Sequence, residues 1–329
     1  MAALLDRRSL LTALGASALL PRIALAETPE AIPEPDREAM VPVEGGRIYV
    51  RMNGRIDAAH APILFVHGGP GGNHAAFTAM LGLAADRAVL MYDQLDSGRS
   101  DKPNDPRNWD VDRFVDEIDH IRTAFGLTRL HVCGHSWGGT IALEYGARRP
   151  KGLVSTVLAS PLISTRSWIA DANLLRRQLP QTTQALLDSC EAPAPPPPAR
   201  CDAATNEFYA RFLLRTPWHP EIDAYERARG LGFNAKLYET MWGRTEFVST
   251  GSLKDYDGEP LLAKLDGPHT LFLCGQYDEA QPATVASFAA RTPGAEFGVV
   301  PGSGHALMLD RRDETLALLR GWLERQDAA

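Results

Sequence analysis

A serine set between two glycines, where an apolar strand-like run gives way to a helical one, constrains this chain more than any other feature. Leu130-His131-Val132-Cys133 reads as a buried strand and Thr140-Ile141-Ala142-Leu143-Glu144-Tyr145 as a helix. Between them stands Gly134-His135-Ser136-Trp137-Gly138-Gly139. A Gly-x-Ser-x-Gly turn in that context forces its central residue into a strained conformation, and the small flanking residues let neighbouring backbone pack against it. The hydroxyl is then exposed above the sheet, beside the positive end of a helix. The five-residue pattern is common by chance, and its alternative is an ordinary structural turn. The strand–turn–helix setting is what makes Ser136 a candidate nucleophile.

The rest of the chain supports such a sheet. Short apolar runs recur at Ile63–Val66, Ala88–Tyr92, Leu130–Cys133, Val154–Leu158, Thr270–Cys274 and Glu296–Val300. Continuous rather than alternating hydrophobicity marks strands buried on both faces, hence a mostly parallel α/β sheet under helices. Val43–Met52, with Gly45-Gly46 inside it, reads as an antiparallel hairpin at the start. The pattern breaks between 165 and 262, where amphipathic stretches such as Phe208–Arg215 and Ile222–Ala228 surround a proline run. The organisation expected is a core of 43–164 and 263–329, an inserted helical cap of 165–262, and a closing helix over Leu316–Arg325.

Residues 1–42 read differently. Arg7-Arg8-Ser9-Leu10-Leu11, a short apolar stretch to Leu20 and Ala24-Leu25-Ala26 have the order of an export signal of twin-arginine type, cleaved after Ala26. The alternative is a disordered leader with two chance arginines. Export places the mature protein in the periplasm or outside the cell. Removing residues 1–26, with three arginines and one aspartate, takes the formal charge from -7 to -9. Residues 27–42, rich in Pro and Glu, read as a disordered lead-in. With no basic block, nucleic acid is excluded as a partner class. No apolar run in the folded body is long enough to span a membrane. Cys133 and Cys274 lie in apolar runs as buried core residues, while Cys190 and Cys201 bracket the proline run. In an oxidising compartment these two could pair, and the sequence leaves that open. No Cys/His cluster has metal-ligand spacing.

A nucleophilic serine needs a base, and the base a group that orients it. In α/β-hydrolase order an acid and then a histidine follow the serine. Asp278 directly follows the apolar run ending at Gly275, and His305 follows the last run in Pro301-Gly302-Ser303-Gly304-His305. Both fall on loops at the edge that carries Ser136. Asp266 and Asp255 are rivals, but neither follows a strand at that edge. Backbone donors for an oxyanion would come from His67-Gly68-Gly69-Pro70-Gly71-Gly72, through the Gly69 amide, and from the Trp137 amide. A phosphate loop is rejected, because no Lys-Ser/Thr ending and no Gly-x-Gly-x-x-Gly spacing is present.

Taken together, His67-Gly68-Gly69-Pro70-Gly71, Tyr92-Asp93-Gln94 with Gly98-Arg99-Ser100, and Gly134–Gly139 resemble the proline iminopeptidase family. Those are serine aminopeptidases of the α/β-hydrolase fold, grouped with tricorn-interacting aminopeptidases and amino-acid amidases. Met241–Phe247 and Gly251–Tyr256 in the cap are similar to that subgroup, so the resemblance runs from about Val43 to the C-terminus. One departure is Asp96, where the family usually has glycine; a surface loop would change and the triad would not. The resemblance implies that Glu246 binds the substrate's α-ammonium by a charge-assisted hydrogen bond. It also implies a second carboxylate earlier in the cap, for which Glu207 and Glu221 are candidates. Trp137, Trp168, Phe233 and Trp242 are candidates for the wall of the first side-chain pocket; the last three read equally as plain core, while Trp137, beside the serine, is expected to touch the pocket.

The resulting expectation is release of an N-terminal residue, preferably proline, from short peptides through an acyl-enzyme on Ser136, without metal or organic cofactor. The nearest alternative is an amino-acid amidase or general esterase. A non-catalytic binding protein is a third reading, against which the retention of every motif stands. Fold alone does not separate these.

Overall fold

The computed structural model describes residues 31–328; residues 1–26, read as an export signal, and residues 27–30 of the lead-in lie outside them. Eight strands form one sheet in the order β1-β2-β4-β3-β5-β6-β7-β8. They are β1 (Arg37–Val43), β2 (Gly46–Asn53), β3 (Ile63–Val66), β4 (Val89–Asp93), β5 (Leu130–His135), β6 (Leu153–Ala159), β7 (Thr270–Gly275) and β8 (Glu296–Val300). The β1/β2 and β2/β4 pairs are antiparallel and all others parallel. The order turns back on itself around β3 and β5. The loops after those two strands therefore meet at the carboxyl edge, where an open α/β sheet places its ligands.

The lead-in expected over 27–42 needs correction. Residues 37–42 belong to β1, which pairs in register with β2 from Arg37 opposite Met52 to Val43 opposite Gly46. The run Ala39-Met40-Val41-Pro42-Val43 follows two charged residues and carries a proline, which demotes it as a strand until its partner is seen. At the other edge, β8 departs from the doubly buried pattern: Glu296 and Phe297 are exposed, as an edge strand permits. The central strands β3, β4 and β7 are buried at every position.

Helices α1 (Val111–Phe125) and α2 (Trp137–Ala147) cover the sheet, with α8 (Pro282–Ala290), α9 (Leu307–Asp310) and α10 (Arg312–Asp327) after β7; five cap helices come between. Helix α1 shows how local rules set the bounds. Asp110 caps the N-terminus by accepting from the Asp112 amide, and Gly126 ends α1 in the left-handed region at φ 68°. Phe114, Ile118, Ile121 and Phe125 share its buried face.

The cap helices are α3 (Thr165–Arg176), α4 (Gln181–Cys190), α5 (Pro198–Phe212), α6 (Pro220–Arg229) and α7 (Ala235–Met241). The amphipathic stretch read over Phe208–Arg215 leaves its helix at Phe212. Beyond it the Arg215 and Thr216 amides, at 2.8 Å each, turn to the Asp310 carboxylate. Phe208 and Phe212, one turn apart, join Phe247, Leu175 and Leu187 in a small core that belongs to the cap alone. Cys190 and Cys201 are joined by a disulfide between the end of α4 and the first turn of α5, while Cys133 and Cys274 are free and buried. Among the described residues no helix is long and apolar enough to cross a membrane.

Candidate active site

Ser136 sits between β5 and α2 with φ 57° and ψ -122°, a backbone conformation that L-residues rarely adopt and that costs about 1–3 kcal/mol. Its neighbours explain how the turn is held. A Cβ on Gly134 would lie 2.0 Å from the Gly138 carbonyl oxygen, and one on Gly138 2.0 Å from the Val66 carbonyl oxygen. Only glycine lets β3, the turn and α2 close to that distance. The Ser136 amide donates to the Ala159 carbonyl at 3.0 Å, and its carbonyl accepts from Gly139 and Leu162. The Trp137 amide is the first N–H of α2 and has no acceptor within the helix.

Asp278 and His305 meet although 27 residues separate them. His305 Nδ1 donates to Asp278 Oδ1 at 2.8 Å. The aspartate also accepts from the Ala280 amide on Oδ1, and from the Gly275 amide and the Ser160 hydroxyl on Oδ2. With every lone-pair direction used, the buried carboxylate keeps one orientation and fixes the tautomer of the ring. Ser160, at the end of β6, was missed in the sequence because an isolated serine after a strand carries no signal. Several hydrogen bonds hold the His305 segment itself. Its amide donates to the Phe212 carbonyl at 2.9 Å and the Ala306 amide to the Leu213 carbonyl at 2.8 Å, so the end of α5 anchors this loop. His135 Nε2 donates to the His305 carbonyl at 2.9 Å. Burial, reinforced by the charge of His305, brings the His135 pKa down to about 3, so this ring stays neutral.

The glycine loop after β3 lies against the serine: a Cβ on Gly68 would stand 2.9 Å from that of Ser136 and 3.4 Å from its Oγ. Gln94 shows why the three motifs occur together. Its side-chain amide donates to the His67 carbonyl at 2.8 Å and accepts from Trp137 Nε1 at 2.9 Å, while its backbone N–H donates to His67 Nε2. One residue thus ties the glycine loop to the nucleophile turn. The Trp137 side chain is accordingly core, packed edge-on against Phe114 and fully buried, and is not the pocket wall considered from sequence. Asp96 also differs from its expected place in a surface loop. It is buried in the left-handed region at φ 67°, where it accepts from Trp109 Nε1 and the Asn104 amide.

Ser136, His305 and Gly69 line one cavity of about 600 Å³ under the cap. Trp168 and Trp242 wall its buried part, where Trp168 packs edge-on over His305 with centroids 5.4 Å apart. Phe233 lines it too, with its ring half exposed at the rim. Glu246 is buried in this cavity, and its Oε1 accepts from the hydroxyls of Tyr209 and Tyr238. The two cap candidates for a second carboxylate are elsewhere: Glu207 bonds Thr183 and Arg211, Glu221 bonds His219, and neither reaches the cavity. Glu226 lines the cavity half-buried, and the second buried acid is Glu279, the residue after Asp278. The sequence hides Glu279 because its neighbour Asp278 already fills the role that a strand-end acid suggests. Glu279 Oε1 lies 3.7 Å from His305 Nε2, and its Oε2 is buried without a partner among the described residues. Burial, then the charges of Glu246 and Asp278, push its pKa well above the usual carboxylate range. Two buried acids and two tyrosine hydroxyls thus share one part of the cavity with the Trp168 and Trp242 rings. Among the described residues no His, Cys, Asp and Glu cluster is arranged to hold a metal ion.

Comparison with known proteins fits this geometry. Residues 61–312 match the model of the α/β hydrolase fold. A proline iminopeptidase of Heyndrickxia coagulans is 34% identical over 287 residues, spanning 87% of this chain and 98% of the relative. Among solved structures, a proline iminopeptidase of Mycobacterium smegmatis superposes with a TM-score of 0.79 at 32% identity, covering 89% of this chain and 99% of that one. VinJ superposes with a TM-score of 0.81 at 31% identity, covering 89% and 100%. The chain belongs to the proline iminopeptidase family of α/β hydrolases.

Proposed function

We propose that this protein is a serine aminopeptidase that releases an N-terminal proline from short peptides, with Ser136, His305 and Asp278 as its triad. The observation that carries the reading is the carboxylate pair Glu246 and Glu279 in the buried part of the cavity that Ser136 lines. An α-ammonium there neutralises two acids that otherwise repel each other in a low-dielectric site. Trp168 and Trp242 offer flat apolar walls to a pyrrolidine ring beside it.

On this reading Ser136 Oγ attacks the scissile carbonyl while His305 Nε2 takes its proton, since Nδ1 is already engaged by Asp278. The Gly69 and Trp137 amides stabilise the oxyanion. His305 then protonates the departing amine, leaving an ester on Ser136 that water, deprotonated by the same ring, hydrolyses. The serine proton leaves on the amine and the attacking water replaces it through His305, so the full cycle restores the enzyme with residues of this chain alone.

The test is hydrolysis of proline, alanine, leucine and phenylalanine p-nitroanilides by protein beginning at Glu27, with N-acetylated controls and a Ser136→Ala variant. Cleavage led by proline, abolished by acetylation and by the substitution, is the expected result. Activity that tolerates acetylation, or that occurs only with esters, moves the function to a general acyl hydrolase.

Export is the second part of the proposal. The Arg7-Arg8 leader supports it, and so does the Cys190–Cys201 disulfide, a bond favoured by oxidising compartments. Intact mass of protein recovered from the periplasm would begin at Glu27; a full-length chain in the cytoplasm would overturn it.

A further inference from the structure

Trp218 and Phe233 need an explanation that the triad and the acid pair do not give. Both are large apolar side chains with about half their surface open, 45% and 56% respectively, and both line the catalytic cavity. Neither is on a loose loop. The segment carrying Trp218 is fastened by the Arg215 and Thr216 amides to Asp310 Oδ1 at 2.8 Å each. The other oxygen of the same carboxylate accepts from the Gly304 amide, beside His305. The segment carrying Phe233 is fastened at the next residue. Asn234 donates its amide to the Gly71 carbonyl at 2.9 Å and its side chain to the Asp96 carbonyl at 2.8 Å. Exposed aromatics on segments bonded directly to the catalytic loops form a preorganised binding surface.

Their position along the cavity says what they bind. The acid pair and the Trp168–Trp242 walls fill the buried part, so the substrate's ammonium and first side chain go inward from Ser136. Whatever follows the scissile bond must extend toward the open rim. There it meets Trp218, Phe233 and Glu226, whose Oε1 accepts from Asn73 Nδ2 at 3.0 Å. Glu226 makes the rim acidic as well as aromatic, so a carboxylate directly after the second residue is repelled.

Resting on the aminopeptidase reading, we infer that Trp218 and Phe233 form the leaving-group subsite, which selects an apolar or aromatic second residue whose own carboxylate is blocked by an amide or a further peptide bond. The physiological substrates are then peptides of three residues or more, or amide-capped dipeptides, with a bulky apolar side chain at position two.

The test compares kcat/KM for prolinamide, prolyl-glycine amide, prolyl-phenylalanine amide and prolyl-phenylalanine with a free carboxylate, in the full chain and in Trp218→Ala, Phe233→Ala and Glu226→Gln. Partial burial of one aromatic side chain predicts a preference for the phenylalanine amide over the glycine amide of about tenfold. That ratio falls toward one in Trp218→Ala and Phe233→Ala. The free carboxylate is a poorer substrate than its amide, and the gap narrows in Glu226→Gln. Equal rates for the two amides while prolinamide is cleaved would overturn the subsite, as would a ratio unchanged in both aromatic variants. Failure of every free-amine substrate while acetylated ones are cleaved would instead overturn the aminopeptidase reading. Thermal melting of each variant separates lost selectivity from lost fold.

Discussion

The carboxyl edge of the sheet and the cap are built by opposite means. At the edge, position is fixed by backbone: Gly134 and Gly138 approach neighbouring carbonyls as no other residue could, and Ser136 is held in a strained conformation between them. In the cap, the groups that face the substrate are fixed by side chains. Glu246 is held by two tyrosine hydroxyls, and a separate small core around Phe208 supports the helices. A backbone-built region tolerates almost no substitution at its few special positions, whereas a side-chain-built one can change what it binds without changing its chain path. On the proposed function this division separates reaction chemistry, kept in the core, from substrate choice, most of it set by the cap.

The largest test of that division is Ser136→Ala. It should lower kcat by about a million-fold, with an unchanged melting temperature or a small rise as a polar side chain leaves a strained position. Residual hydrolysis within tenfold of the parent would remove Ser136 from the chemistry altogether. A pair of glycine substitutions sharpens the same contrast in stability. Gly138→Ala brings a Cβ to 2.0 Å from the Val66 carbonyl and should cost about 3 kcal/mol or more by denaturant unfolding. Gly230→Ala, at the left-handed end of α6 with no atom within 4 Å of the new Cβ, should cost only about 1 kcal/mol. Equal costs would show that the edge is not backbone-limited.

Glu279 crosses the division, because a core loop delivers it into the substrate end of the cavity. Glu279→Gln should lower kcat/KM for free-amine substrates by about a hundredfold and leave acetylated esters far less affected. The same substitution should stabilise the protein at alkaline pH. Burial and the charges of Glu246 and Asp278 raise the folded-state pKa of Glu279 above its unfolded value. The folded state therefore holds this proton more tightly than the unfolded chain. Its stabilising share is complete below the unfolded pKa, about 4.3, and is lost as pH rises through the folded value. The melting-temperature gain of Glu279→Gln over the parent should be larger at pH 8 than at pH 4. A gain independent of pH would mean that Glu279 is not titrating in this way.

What could be read from the sequence follows the same line. Features encoded in consecutive residues were legible: the apolar strands, the Gly134–Gly139 turn, the glycine loop, and the placement of Asp278 and His305 after strands. Features made by residues distant in sequence were not. Gln94 bridging His67 to Trp137, Ser160 beneath Asp278, and the tyrosines around Glu246 have no local pattern to reveal them. Trp137 was weighed as pocket wall because it adjoins the serine, yet the first turn of α2 directs it into the core. Glu279 was overlooked for the converse reason: its neighbour Asp278 had already taken the role that its loop suggested. β1 escaped because an edge strand that opens on two charges and contains Pro42 is recognisable only beside its partner.

The cap disulfide is where the smallest effect is expected, and it tests whether the cap is a unit of its own. Cys190 and Cys201 are 11 residues apart, so closing that loop in the unfolded chain removes entropy worth about 3 kcal/mol at most. The constraint is local to α4 and α5, whereas the anchors that position the cap over the site lie further on, at Phe212, Leu213, Arg215 and Thr216. Cys190→Ser with Cys201→Ser should therefore speed proteolytic nicking between α4 and α5 and lower the onset of melting by a few degrees. With proline p-nitroanilide, kcat/KM should stay within about twofold of the parent, since neither cysteine lines the cavity. A large loss of activity would mean that the α4–α5 link transmits order through α5 to the Phe212 carbonyl, and from there to the His305 amide that it holds. The division between core and cap would then fail at the one helix whose end touches both.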